Sequence, residues 1–428
     1  MEEALNPNPP RPPLPLSNWR LVPNCLISFG LLLSLIGALV NLEQFGYSYL
    51  LAFMFCLSFG LGALFLVLVH HLFDASWTVP LRRYCEHIAC LLFPWMAILF
   101  IPIALLAKRL YPWMTSNPAT DHALHSKFPL LTVPGFYVAA VVCFGVWWLL
   151  TSRLRYWSLR QDETGEALCT HRMRFHSSWG IIAFALTLTL GALLWVKALM
   201  HEWYSTMYGV YYFAESVWVT LGVVFIIMMI LNRQRVITHV LHEHQYYFLG
   251  SLMFAFTVFY AYIHFSQYFI IWNANLPEET FWYTIREQGT WFWVGMVLVF
   301  GHFLLPFLAL LRIDVKSVFP WMFALGVWGV LMHYFDMAFN ILPVKWPNGF
   351  PLQWAWLDLA CIAFMAGILI KVFLRDYQRH PPYPLKDPRL HEAAGQYHPV
   401  PTQISGGELD EADENLPATQ ATERGGGP

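Results

Sequence analysis

The chain has 428 residues, of which 57% are hydrophobic, 17% aromatic and only 12% charged, and its mean hydropathy is +0.47. A soluble domain carries about 25% charged residues, so most of this chain is not built to face water. The formal net charge of -2 argues against nucleic acid as a partner, because phosphate binding needs a basic surface.

The order of apolar and polar segments predicts a membrane protein. The first 21 residues contain the string PNPPRPPLP, which favours extended, hydrated backbone and lacks the pattern of a signal peptide. Apolar runs of about 20 residues, the length that crosses a bilayer, then follow at 22–42, 47–71, 87–107, 130–152, 178–199, 207–231, 246–272, 290–312, 318–340 and 352–374. From residue 375 onward Pro, Gly and charge dominate, as in disordered tails. We therefore predict an all-α, polytopic integral membrane protein with a disordered N-terminus (1–21), a ten-helix membrane domain (22–374) and a disordered C-terminal tail (375–428).

Basic residues set the predicted orientation, since cytoplasmic segments of membrane proteins are enriched in Lys and Arg. In the ten-helix arrangement, 19 of the 25 Lys and Arg residues fall on the side of the two termini and 6 on the other side. We therefore expect both termini in the cytoplasm.

Seven cysteines lie far apart, mostly inside apolar runs, without any C-x-x-C or C-x-x-C-H pattern. We interpret them as small buried hydrophobic residues. The sequence therefore predicts that this chain holds no metal, iron–sulfur cluster or covalent haem of its own. Electron carriers would lie on other subunits or be a diffusible quinone.

Ionisable side chains inside the apolar runs are candidates for a proton path, because burial in hydrocarbon is costly without a function or a partner. His333 and Asp336 are three residues apart, so they share a helical face and can exchange a proton. Pro306 has no N–H, so we expect the carbonyl of His302 to be free for water or a quinone oxygen. The candidates in the outer half or middle of the helices are Asp336, His333, His302, His264, Asp358 and Glu215.

Each candidate also has a purely structural interpretation. Glu215 can pair with a Lys or His on another helix or be neutral, and His302 and His264 can each make an ordinary interhelical hydrogen bond. His264 and His333 are also the pair that a haem b would need, if they faced each other at equal depth. A second polar group lies at the cytoplasmic end of the second run: His70, His71, Asp74, Arg82, Arg83 and Glu86. Its two arginines can be simple anchors to anionic lipid headgroups.

Several strings closely resemble the ActF-type membrane subunit of alternative complex III, a bacterial quinol:cytochrome c oxidoreductase of the NrfD/PsrC-like superfamily. The most specific is HFSQYFIIWNANLPEETFWY at 264–283. Others in the same order are HHLFDASWTVPLRRYCE (70–86), HEWYSTMYGVYYFA (201–214), FGHFLLPFLALLRIDVK (300–316) and HYFDMAFNILP (333–343). The resemblance spans residues 20 to 375.

This resemblance implies ten helices in two four-helix bundles, helices 2–5 and 6–9, plus a flanking pair, in the bacterial inner membrane. It implies these partners: a related NrfD-like quinol-site subunit, a periplasmic iron–sulfur protein, multihaem and monohaem cytochromes c, small membrane subunits and membrane lipids. Haem c and iron–sulfur clusters would lie on those partners, and quinone or menaquinone is the candidate ligand of this chain. In the family the NrfD-like subunits are proposed to move protons, and the better-supported quinol site is on the sister subunit.

The chain departs from the family pattern in the loop before the sixth helix. There Leu194 stands where an Asp precedes Trp, and Met200, His201 and Glu202 precede Trp203 where the family has Leu-Glu-Pro-His. We add His201 and Glu202 to the proton-path candidates, since a carboxylate and a histidine are expected near this point.

Two further departures lie inside helices. Glu215 stands where the family has a glycine, and His333 replaces an arginine. Two rivals to a respiratory subunit remain: a secondary transporter that uses intramembrane ionisable groups, and an inert structural scaffold.

Overall fold

The protein is a multi-pass all-α membrane protein, as the sequence predicts. Its computed structural model describes residues 21–117, 121–238 and 240–395 and, within them, contains no strand. In this part of the chain nine helices are long and apolar enough to cross a membrane, and a bent pair makes ten. The ten spans are α1 (Leu21–Val40), α2 (Leu42–Leu72), α3 (the bent pair Ser76–Leu99 and Ile101–Leu110), α4 (Val133–Thr164), α5 (Ala167–Trp195), α6 (Tyr208–Arg233), α7 (Glu243–Ala274), α8 (Gly289–Leu311), α9 (Phe319–Ile341) and α10 (Ala355–Arg379).

The third span differs from its predicted form, a single helix over 87–107. It is bent by 56° between Ser76–Leu99 and Ile101–Leu110. Pro94 and Pro102 lie close to this bend, and neither can donate a backbone hydrogen bond to the residue four positions earlier. The first half also contains charged residues that fold against the neighbouring helices, so α3 enters the bundle with a polar end.

The helices pack as two four-helix groups and a flanking pair. Helices α2 to α5 contact one another, α6 to α9 form the second group, and α1 lies along α10. Helix α2 packs against α6 and joins the groups. These two central helices are the most buried spans, each with 78% of its apolar window inside the protein.

A short helix, Pro277–Arg286, connects α7 to α8. Helix α7 ends at Ala274, and the capping residue Asn275 has a φ of 51°, in the left-handed region that stops a helix; Pro277 is the first residue of the next helix. The NLPEE string therefore encodes a sharp turn. This turn places Arg286 beside the ends of α7, α8 and α9.

The predicted disorder of residues 375–428 is wrong for residues 375–395. Helix α10 continues to Arg379, and residues 380–395, here called the strap, fold back over the bundle with Tyr383, Asp387, Leu390 and Ala393 buried. Residues 1–20 and 396–428 lie outside the described residues. We call the membrane side that holds the strap the inner side and the opposite side the outer side.

Candidate functional site

Glu215 of α6 lies at the centre of a buried polar group. Its Oε1 is 2.5 Å from Nδ1 of His333 on α9, and its Oε2 is 3.1 Å from Nε2 of His302 on α8. The His302 ring N–H is within ion-pair distance but is not aligned for a hydrogen bond. All three side chains are at most 1% exposed. We refer to Glu215, His302, His333, Ser58 and Asp336 as the Glu215 cluster.

Ser58 of α2 determines where His333 carries its proton. The Ser58 hydroxyl donates to the carbonyl of Phe55 at 2.7 Å, and its Oγ is also 2.7 Å from Nε2 of His333. Because a hydroxyl has only one hydrogen, Oγ must accept from a protonated Nε2. One further proton therefore lies between Nδ1 of His333 and Glu215, either as an imidazolium–carboxylate pair or as a neutral imidazole and carboxylic acid.

Asp336 receives two tyrosine hydroxyls on a single oxygen. Tyr211 of α6 and Tyr260 of α7 both donate to its Oδ1, the latter at 2.8 Å. Asn340, one turn further along α9, donates to the Tyr211 oxygen at 3.0 Å and accepts from Tyr208 at 2.9 Å. The chain of hydrogen bonds thus runs from the outer end of the bundle to Asp336, whose Oδ2 has no hydrogen-bond partner among the residues that the structure describes.

His333 and Asp336 share a helical face, as predicted, but His333 bonds to Glu215 and Ser58 instead of to Asp336. The two residues are nevertheless neighbours, since one ligand atom each of Glu215, His333 and Asp336 lies within 4.8 Å of the others. Two of these atoms are only 2.5 Å apart. Ligands on a tetrahedral zinc ion, with bonds of about 2.0 Å, are about 3.3 Å apart, so this geometry fits a shared proton better than a metal.

His302 lies in a π-helical segment, Leu298–Leu304. A π-helix pairs each carbonyl with the N–H five residues on, so Pro306 deprives Gly301 of its partner, not His302. Trp328 of α9 donates its indole N–H to the Gly301 carbonyl at 2.8 Å. The hydrogen bond that Pro306 removes is therefore the one of Gly301 and not, as predicted, the one of His302, and Trp328 of another helix supplies it.

A cavity of about 700 Å³ lies beside this cluster, between α7, α8, the helix Pro277–Arg286 and Phe339 of α9. Its wall is largely aromatic and aliphatic. The lining residues are Tyr260, Ala261, His264, Phe265, Tyr268, Tyr283, Arg286, Glu287, Phe292, Gly295, Met296, Leu298, Val299, Phe303 and Phe339. Phe265, Phe292 and Val299 are also exposed on the outside of the bundle, so the cavity lies next to the lipid-facing surface.

Two polar lining residues connect the cavity to the cluster. Tyr260 donates to Asp336 and its ring lies 4.1 Å, centroid to centroid, from that of His302. His264, half-buried, packs between the rings of Tyr260 and Tyr211 at 5.9 and 5.6 Å. A ligand in the cavity would therefore touch groups that lead directly to Asp336.

Arg286 supplies a buried positive charge at the outer end of the cavity. It donates to the carbonyls of Phe339 at 2.8 Å, Asn340 at 3.0 Å and Trp282 at 2.9 Å, and its guanidinium lies 3.5 Å from the Trp282 ring. These acceptors are neutral, so the charge itself is not balanced by them. The arrangement favours a ligand with a partly negative oxygen at this end.

Three other candidates lie apart from the cluster. Asp358 is buried and accepts a hydrogen bond from Tyr334 at 3.1 Å. His201 pairs with Asp121 at 2.7 Å in the outer loops, and Glu202 is exposed. The backbone N–H of Leu124 and the His201 ring lower the pKa of Asp121. The structure therefore does not bring His201 or Glu202 to the proton-path candidates.

The predicted polar group at the inner end does assemble. Glu86 lies 3.2 Å from Arg82 and 2.9 Å from Arg83, and Arg82 lies 3.5 Å from His70. His71 is buried beside His70, and within the described part of the chain its ring nitrogens have no hydrogen-bond partner. Both arginines are at most 1% exposed, which rules out the interpretation that they are anchors to lipid headgroups.

The strap completes this inner group. Asp387 pairs with Arg82 and, at 3.1 Å, with Arg389, and Arg389 lies 2.9 Å from Asp74. Burial alone would raise the pKa of Asp387, but Arg82 and Arg389 lower it to about 2. Elsewhere along the strap, Gln245 of α7 donates to the carbonyl of Ala393 at 2.7 Å.

Sequence reasoning missed Ser58, Tyr211, Tyr260, Asn340 and Arg286. The spacing of Asp336 and Asn340 by one helical turn was a usable signal for a polar stripe on α9. Nothing in the sequence marked Ser58, since isolated serines are common in membrane helices. No protein-family model matches this chain, and no curated protein matches it either.

Proposed function

We propose that this chain is a membrane subunit of an alternative complex III-type quinol:cytochrome c oxidoreductase and supports quinol oxidation by accepting protons into the Glu215 cluster. The observation that carries the proposal is the hydrogen bond from Tyr260, on the cavity wall, to Asp336. The proposal places the protein in the bacterial inner membrane with both termini cytoplasmic. The strap would then lie on the cytoplasmic side and the cavity on the periplasmic side.

The shape and chemistry of the cavity support quinol or quinone as its ligand. Ligand pockets for small molecules are about 300–1,000 Å³, mostly apolar, with a few placed polar groups. A quinol has a flat aromatic ring, two opposed hydroxyls and an apolar tail. The aromatic walls fit the ring, the lipid-side opening near Phe265 fits the tail, and His264, Tyr260 and Arg286 are placed to meet the oxygens.

Quinol oxidation releases protons, and in this proposal the Glu215 cluster accepts them. Oxidation of one quinol yields one quinone, two protons and two electrons. The electrons would pass to haem or iron–sulfur carriers on partner subunits, in keeping with the resemblance to alternative complex III. The first proton would pass from a quinol hydroxyl to the Tyr260 oxygen as Tyr260 gives its own proton to Asp336, so that Tyr260 stays neutral, and the shared Glu215–His333 site would accept the second proton.

The partners follow from the same proposal. They are a related NrfD-like subunit with its own quinol site, a periplasmic iron–sulfur protein, multihaem and monohaem cytochromes c and small membrane subunits. Purification in mild detergent from the source membranes should therefore recover this chain together with c-type haem and iron–sulfur absorbance.

Three variants of the intact assembly test the proposal. Glu215→Gln and Asp336→Asn remove one proton-binding oxygen each, whereas Glu202→Gln makes the same chemical change at an exposed loop position. We expect the first two to lower quinol:cytochrome c turnover at least about tenfold, since positioned acid–base groups contribute about 100-fold or more. The control should keep full turnover. Equal turnover in all three would overturn the proposal and favour a structural scaffold.

A further inference from the structure

We propose that the Glu215 cluster exchanges protons with the outer side only, and that the inner half of the bundle is a proton barrier. This inference rests on the proposed function. It assigns a direction to the site: protons taken from quinol leave outward, and none cross the bilayer through this subunit.

The first support is the make-up of the helices that hold the cluster. On the inner side of Ser58, α2 has eleven consecutive apolar or glycine residues, 59–69, and α6 has a similar run at 221–231. On α9 the run 319–332, on the inner side of His333, is also free of ionisable residues. At a rise of 1.5 Å per residue these runs cover about 16–21 Å, most of the inner half of a bilayer.

The second support is close contact between these helices. A Cβ on Gly62 of α2 would lie 2.3 Å from the Ser216 carbonyl and from the Thr220 hydroxyl of α6. A Cβ on Gly326 of α9 would lie 2.6 Å from Ile226 of α6. The backbones therefore meet without space for a side chain, and a row of water molecules needs at least as much room.

The third support is the state of the inner polar group. Ser58 and His70 are about 18 Å apart along α2, given 1.5 Å per residue. Arg82, Arg83 and Glu86 form ion pairs with one another, with α4 and with the strap, so this group has its own charge balance. Its contacts point to the strap and to α4, not towards Glu215.

On the outer side, by contrast, hydrogen-bonding groups connect the cluster to the end of the bundle. The hydrogen bonds of Tyr208, Asn340 and Tyr211 lead from Asp336 to the outer end of the bundle, and the cavity reaches exposed residues. Protons that leave the cluster thus have a chain of donors and acceptors on the outer side, whereas on the inner side α2, α6 and α9 present apolar runs. Two protons per quinol would be released outward, and no proton would be taken up from the inner side.

The experiment uses the intact assembly in liposomes, with ferricytochrome c outside only, quinol in the bilayer and a pH-sensitive dye trapped inside. We expect one proton released outside per electron and no alkalinisation of the interior. Thr220→Val removes the last hydroxyl on the inner side of the cluster on α6, and its hydroxyl bonds mainly to its own helix at 2.7 Å. This variant should leave turnover and outward release unchanged.

The outcomes separate the two proposals. Interior alkalinisation that Glu215→Gln or Thr220→Val abolishes would overturn the barrier, even if Glu215→Gln also slows turnover as the proposed function requires. If Glu215→Gln leaves turnover unchanged, the proposed function itself fails. Slower turnover in Glu215→Gln with a constant one-to-one outward release and a silent interior would support both.

Discussion

Glu215 of α6 and His333 of α9 face each other across the bundle, with 2.5 Å between Oε1 and Nδ1. The two residues are 118 positions apart in the sequence. A single shared proton keeps this pair neutral overall, which is how two ionisable groups can lie in hydrocarbon without a large desolvation cost. The arrangement depends on Ser58, because Ser58 holds the other ring nitrogen of His333 in its protonated form.

Ser58→Ala tests this dependence. The substitution leaves Nε2 of His333 buried without a partner, and an unsatisfied buried donor costs about 1–3 kcal/mol. We expect a lower unfolding midpoint in detergent and a changed pH profile of turnover. Ser178→Ala is the matched control, since Ser178 is exposed and its hydroxyl donates to the Arg174 carbonyl of its own helix. Equal effects of the two substitutions would contradict the role of Ser58.

The seam between α2 and α6 gives a prediction on stability. Gly62→Ala places a methyl group 2.3 Å from atoms of α6, so the helices must separate, which typically costs about 1–3 kcal/mol. Gly145→Ala in α4 meets no atom within 4 Å and should be neutral or stabilising by up to about 1 kcal/mol. The measurement is the unfolding midpoint of both purified variants. A Gly62→Ala protein as stable as Gly145→Ala would show that the seam is loose.

Features of the fold that depend on residues close together in the sequence were predictable, whereas contacts between distant helices were not. The ten spans were predictable because a run of apolar residues is a local property of the sequence. The predicted positions are confirmed except at the bend near Pro94 and Pro102. The partner of Glu215 was not predictable, since it requires knowing which faces of α6, α8 and α9 meet. Likewise, the sequence predicted that Pro306 removes the hydrogen bond of the His302 carbonyl. In the π-helical segment it removes the hydrogen bond of the Gly301 carbonyl instead.

For the strap, the prediction from composition was wrong. Residues 380–395 have the composition of a disordered tail, yet Asp387 is buried because Arg82, 305 residues earlier, provides its counter-charge. Composition alone therefore misjudges a segment whose burial is held by ion pairs. The family pattern pointed to His201 and Glu202, but their loop lies apart from the Glu215 cluster, and His201 pairs with Asp121 there.

Asp387→Asn should release the strap. The substitution keeps the shape but removes the charge, and loss of one member of a buried ion pair costs about 3 kcal/mol. We expect faster hydrogen exchange over residues 380–395 at neutral pH and a lower unfolding midpoint. Asp376→Asn, which breaks a more exposed pair with Arg375, should leave the strap unchanged. Slow exchange in both variants would mean that apolar contacts alone hold the strap.

The same pair predicts a pH dependence. The folded pKa of Asp387 is about 2, below the value of about 3.9 for an unfolded aspartate. The stabilisation is therefore fully present above about pH 4 and is lost as pH falls through about 2. Hydrogen exchange of the strap, corrected for the intrinsic pH dependence, should rise over this window in the native protein and much less in Asp387→Asn.

Lys197, in the outer loop after α5, should be unusually reactive. Burial and the adjacent Lys127 lower its pKa to about 7, so its amine is partly uncharged and nucleophilic near neutral pH. We expect amine-selective acylation at pH 7.5 to label Lys197 faster than exposed Lys108, as measured by peptide mass spectrometry. Lys127→Met should slow labelling of Lys197 by removing the repulsion. Faster labelling in that variant would show that access, and not charge, controls the reaction.

The central claim is that the Glu215 cluster changes its protonation when quinol is oxidised. Infrared difference spectroscopy of the intact assembly, triggered by quinol oxidation, measures this directly through the carboxylic acid C=O stretch. We predict a carboxyl band in the native protein that is lost or shifted in Glu215→Gln and Asp336→Asn and retained in Glu202→Gln. A difference spectrum that is identical in all four proteins would contradict the account.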